Sequence, residues 1–127
     1  MWALGVAWAS PYRTEHHHPE FAWWTLETRY FRIHYPQSDR PERPVDTRRT
    51  AEEVARVADD LLLRLADHTG WIPHGPIHVV VSDEADGMQA FTLPHWGWIV
   101  LSADPGSEVF RLRGRQDWIP DALAHEL

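Results

Sequence analysis

The chain has 127 residues, 43% hydrophobic and 24% charged, the balance of one globular domain with a modest core and not of a disordered or fibrous chain. A formal charge of −7, with no basic block anywhere, excludes the basic face that nucleic acid or an anionic membrane demands. The absence of cysteine removes disulfides, thiolate nucleophiles and cysteine-ligated metal, so any metal must be held by His, Asp or Glu.

Met1 to Ala9 are uncharged and finish in Ala7-Trp8-Ala9, the small-x-small pattern that signal peptidases accept. The run is too short to span a bilayer and lacks a basic lead, so residues 1–9 are expected to be a signal-peptide remnant, with export as the consequence. No membrane-spanning segment is expected. Residues 10–23 show no periodicity and read as an extended N-terminal segment. Its His16-His17-His18 run is expected to be exposed, because three adjacent side chains cannot all point one way.

From Trp24 to Tyr35 the pattern alternates, with Phe31, Ile33 and Tyr35 on one face and Arg32 and His34 on the other, and Pro36 closing it. One strand is expected there, with His34 a polar-face residue. Gln37 to Val45 is a proline-punctuated loop. A helix follows, starting at a Thr50–Glu53 capping box or earlier at Asp46 and ending at Gly70, with Val54, Val57, Ala58, Leu61, Leu62 and Leu65 as its apolar stripe.

Ile77 to Val81 is a short β-branched run expected to form a buried strand, and strand–helix–strand implies a layered sheet. Ser82 to Gly87 carries three acids but lacks the regular oxygen spacing of a calcium loop, so a solvated turn is expected. Trp96 to Ser102 reads as another strand, in which Gly97 admits the close approach of a neighbouring backbone. Ala103 to Gln116 reads as a connection. The eight tryptophans suit core packing and loop anchoring, or else a platform for sugar rings.

The last element, Asp117 to Leu127, has a capping residue at Asp117 and proline at position 120, in the first turn, where a helix tolerates it. With no glycine stop and no polar tail, the sequence is expected to stop within that helix. His125-Glu126-Leu127 is the first half of His-Glu-x-x-His, in which histidines at i and i+4 share a helical face and bind zinc, and the glutamate between them acts as general base. The second histidine position lies beyond Leu127.

Trp24-Thr-Leu-Glu-Thr, Phe31-Arg-Ile-His-Tyr, the Thr50 helix, Ile77-His-Val-Val-Val, Trp98-Ile-Val-Leu-Ser and the Trp118 to Leu127 helix resemble the bacterial gluzincin-type metallopeptidases with a peptidase-MA-like domain, over most of residues 19–127. The resemblance, which includes the lead-in His18-Pro19-Glu20, implies an exported zinc (Zn2+) peptidase with a peptide or protein substrate. In it, His125 is the first zinc ligand and Glu126 the general base, and the second histidine and an acidic third ligand lie downstream. It further implies that the strand at Gly97 to Leu101 is the sheet edge over the cleft, where Gly97, Trp98 and Ile99 meet substrate, with the backbone of Trp98 or Ile99 making the contact. Some members carry a C-terminal β-propeller, which would lie outside this chain. The expected fold is therefore α/β in the α+β sense, a zincin-like N-terminal subdomain in residues 24–127. It comprises a twisted mixed sheet, one long covering helix and the start of the active-site helix. The competing class is a non-catalytic exported binding module, either a degenerate peptidase or a tryptophan-lined carbohydrate binder.

Overall fold

The structure, a computed structural model, describes residues 22–36, 47–82, 90–93, 97–103 and 118–127. The segments Met1 to Ala9, His16 to His18, Gln37 to Val45, Asp83 to Gly87, Trp96 and Asp104 to Asp117 lie outside the described residues, and with them the signal-peptide, calcium-loop and capping-residue readings.

Alternation of apolar and polar residues and the β-branched runs produce five strands, β1 (Trp23–Glu27), β2 (Phe31–Pro36), β3 (Ile77–Ser82), β4 (Ala90–Leu93) and β5 (Trp98–Ser102), with helices α1 (Thr47–Thr69) and α2 (Trp118–Glu126). They form one mixed sheet in the order β1-β2-β3-β5-β4. The three inner strands are parallel, and β1 and β4 run antiparallel to their single neighbours. The α+β class expected from the sequence is the class observed.

Trp24 to Tyr35 is two strands, not one. The chain reverses at Thr28 to Tyr30, where Thr28 N–H donates to the Phe31 carbonyl (2.9 Å) and Phe31 N–H to Thr28 Oγ1 (3.1 Å). The apolar positions 24, 26 and 30 shift phase at the adjacent Tyr30 and Phe31 to 31, 33 and 35, and this slip in the alternation marks the turn. The turn is held from outside by Asp59 of α1. Its Oδ1 accepts from Thr28 Oγ1 (2.7 Å) and Tyr30 N–H (3.2 Å), and its Oδ2 accepts from Arg29 N–H (3.1 Å).

Helix α1 begins at Thr47, which corrects the capping-box start. Thr50 lies inside the helix and donates its hydroxyl to the Ala103 carbonyl (3.1 Å), while Glu53 pairs with Arg49. Thr47 is buried and donates to the Pro36 carbonyl (2.7 Å), so the first turn is tied to the end of β2. At the other end Gly70, at φ 70°, donates its N–H to the Ala66 carbonyl, the left-handed stop that glycine adopts without strain. On the outward face Arg48–Glu52, Arg49–Glu53 and Asp60–Arg64 pair at i,i+4, each exposed and contributing about 0.3–0.5 kcal/mol.

The core is one layer between sheet and helices. Phe31, Ile33, Val79, Val81, Ile99 and Leu101 face Ala51, Val54, Ala58 and Leu62 of α1 and Trp118, Ile119 and Leu123 of α2. Burying each of the large side chains stabilises the fold by about 1.5–3 kcal/mol. Both helices therefore lie on one face of the sheet, with α2 against β4 and β5 and α1 against β1, β2 and β3. Val80 and Val100, on the opposite face, are also buried.

Candidate active site

Helix α2 presents its residues by simple spacing. Trp118, Ile119 and Leu123 form the buried stripe against α1, which turns Asp121 and His125 outward and leaves Glu126 half-buried on the flank toward β4. The helical ladder continues to Leu127, whose N–H donates to the Leu123 carbonyl at 3.1 Å. Across the gap, the Thr92 hydroxyl of β4 makes a short hydrogen bond to the Glu126 carboxylate at Oε2, and its oxygen also lies 3.1 Å from the Glu126 carbonyl oxygen. The arrangement puts a carboxylate that can accept a proton beside an exposed imidazole that can bind a metal ion, both on one helix.

The edge itself differs from expectation. Strand β5 is interior: Trp98 pairs with His78 on one side and Leu93 on the other, and Ile99 with Val79 and Thr92. The backbones of Trp98 and Ile99 are thus committed on both sides and do not form the open edge. Among the described residues β4 is the last strand of the sheet on that side, next to β5. Gly97 precedes the strand, at φ 62°, and a Cβ there would meet nothing within 4 Å, so this glycine serves a left-handed turn and not a close approach. Neither β4 nor the role of Thr92 is among the sequence expectations. The available signal, Ala90-Phe-Thr-Leu93 ending at Pro94, alternates over only four residues.

The donor set fits zinc in kind, an open imidazole with a carboxylate beside it, and is incomplete in number. Among the described residues no three His, Asp or Glu side chains converge as a metal site. A catalytic zinc site uses three protein ligands, so a zinc site built on His125 would have to draw its other ligands from outside the described residues.

A second polar cluster lies on the helix-free face. Thr25 Oγ1 lies 2.8 Å from His34 Nδ1, and His34 Nε2 lies 2.9 Å from His78 Nδ1. The two rings are nearly parallel with centroids 5.2 Å apart, and a nitrogen-to-nitrogen contact of 2.9 Å at that separation places them edge to edge in one plane, not face to face. The Trp98 ring lies 5.5 Å from His78. Alternation alone makes His34 an isolated polar-face residue, because its partner is 44 positions away on another strand.

Burial, then the neighbouring His78 and Arg32, lower the His34 pKa from 6.5 to about 4; burial, then Arg32, lower that of His78 as well. A neutral His34 is thus favoured by folding. The stability it carries is complete above the unfolded value of 6.5 and is lost as pH falls toward about 4. Discounted for partial exposure, the effect is on the order of 1–2 kcal/mol. Urea unfolding at a series of pH values between these limits should show this decline, and His34→Asn should flatten it.

The described tryptophans do not share one platform. Trp23 and Trp98 project from the same face of the sheet, but Trp23 pairs with Pro36 while Trp98 is in register with His78 and, through it, Arg32. Three strand spacings and four residues separate them, roughly 14 Å across and 13 Å along. Trp71 is exposed beyond the end of α1. No family model, no curated protein and no solved structure matches this chain.

Proposed function

We propose that this chain is the N-terminal part of a zinc-dependent metallopeptidase. The observation that supports the reading is the Glu126 carboxylate held by Thr92 under the antiparallel edge strand, with His125 exposed beside it on the same helix. His125 would be the first zinc ligand, with the residue four positions on that shares its helical face in the full protein as the second. Zinc supplies Lewis acidity to the scissile carbonyl and to a bound water. Glu126 would take a proton from the attacking water and return it to the leaving amine. The peptide adds as a further strand on the side of the sheet where β4 lies, β4 being paired within the sheet with β5 among the described residues. No helix among the described residues is long and apolar enough to cross a membrane. Export is part of the proposal and rests on the uncharged Met1 to Ala9 stretch and its Ala7-Trp8-Ala9 end.

The test is the metal content and peptide hydrolysis of the full protein whose reading frame contains this chain. About one zinc per chain is expected, as for a single catalytic site. It should be lost, together with hydrolysis, in His125→Ala. Absence of zinc from the unaltered protein rejects the peptidase and leaves the non-catalytic peptide-binding module.

A further inference from the structure

We propose that Thr92 is a positioning residue for the general base, a role that rests on the peptidase reading above: its hydroxyl, carried on the edge strand that takes the peptide, sets the direction of the Glu126 carboxylate. Thr92 is half-buried in β4 opposite Ile99, with its side chain toward α2. Its β-branched carbon restricts χ1, so the strand fixes where the hydroxyl points.

A hydroxyl has one proton to donate. Two Glu126 oxygens lie within reach of it, the backbone carbonyl at 3.1 Å and the carboxylate Oε2 closer still. The carboxylate takes it, since a hydrogen bond to an ionised acceptor is the stronger of the two. In a helix that continues by another turn, the N–H four residues on satisfies the carbonyl, and the hydroxyl is left wholly to the carboxylate. Among the described residues this is the one hydrogen bond the carboxylate makes. Without it, a three-torsion side chain on the flank of α2 is free to sample several rotamers. A general base off its mark by about 1 Å costs up to roughly 100-fold in rate.

The arrangement also links two parts of the reaction. The strand that receives the peptide and the group that moves the proton are joined through a single side chain, so seating of the peptide on β4 and placement of the base are not independent.

Thr92→Val keeps the shape and β-branching and removes only the donor, while Thr92→Ser keeps the donor. In the zinc-loaded full protein, Thr92→Val should lower kcat by about 10–100-fold. KM and zinc content should change by less than about twofold, and Thr92→Ser should recover most of kcat. A second readout does not depend on activity: the shifts in urea-unfolding midpoint caused by Thr92→Val and Glu126→Ala should be non-additive, as for any two groups in direct contact. Unchanged kcat in Thr92→Val, or additive midpoint shifts, overturns the role. If Thr92→Val does not fold, Thr92→Ala against Thr92→Ser decides it: a loss of kcat in Ala alone supports the role, and equal kcat overturns it. An unaltered protein with neither zinc nor hydrolysis overturns the peptidase reading and this role with it, whereas an active one indifferent to Thr92→Val overturns the role alone.

Discussion

Replacing Glu126 by Gln in the zinc-loaded full protein should lower kcat by about 10²–10⁴-fold, the range over which positioned general bases act. The substitution isolates proton transfer. Gln has the same length and can still accept the Thr92 hydrogen bond through its amide oxygen, but it cannot take a proton from water. His125 is untouched, so bound zinc should be unchanged, and because Glu126 lies on the flank of α2 and outside the buried stripe, the unfolding midpoint should move little. Steady-state kinetics with metal analysis on the same samples checks all three. Loss of zinc together with activity would instead make Glu126 a ligand.

Asp59→Ala should cost the fold a large part of its stability. That carboxylate collects three donors from the β1–β2 turn, Thr28 Oγ1, Arg29 N–H and Tyr30 N–H, and ties α1 to the first hairpin at its turn, as Thr47 does at the end of β2. Hydrogen bonds to a charged acceptor contribute about 1.5–3 kcal/mol each when shielded from water. Here Thr28 and Tyr30 are half-buried and Arg29 is exposed, so the three together are expected to contribute on the order of 2–4 kcal/mol. Against a total stability of about 5–15 kcal/mol this is a large share. Asp59→Asn keeps an acceptor oxygen and should lose less. Urea unfolding of the two variants beside the unaltered chain gives the comparison; equal midpoints in all three would show that water replaces the carboxylate at this turn without cost.

Elements with a strong local signature were legible in the sequence. The β-branched run at Ile77, the apolar stripe of α1 with its Gly70 stop, and the proline-led last helix appear where periodicity and capping rules place them. The hairpin reads as one strand because its turn uses Thr, Arg and Tyr, and is made by hydrogen bonds from a helix 29 to 31 residues away. No local turn residue announces it. The order of strands was legible only in part. That β2 and β3 are parallel follows from the helix between them, but that β5 inserts between β3 and β4 is a matter of tertiary packing, and among the described residues it makes β4, not β5, the last strand of the sheet. Within the candidate site, His125 and Glu126 come from a three-residue motif, whereas Thr92 emerges only once a strand 34 positions upstream is seen against the helix.

The strand order also governs when the candidate site can exist during synthesis. β4 leaves the ribosome before β5, yet among the described residues β5 is its only partner in the sheet, and α2 comes later than both. β4 and β5 can pair as soon as both have emerged, because residues 90–93 lie opposite residues 98–101, whereas the contact of Thr92 with Glu126 spans 34 positions and must wait for α2. The edge beside Glu126 is therefore completed last. In a nascent chain Glu126 and β4 are held apart until α2 has emerged, by which time the sheet that carries Thr92 is already in place.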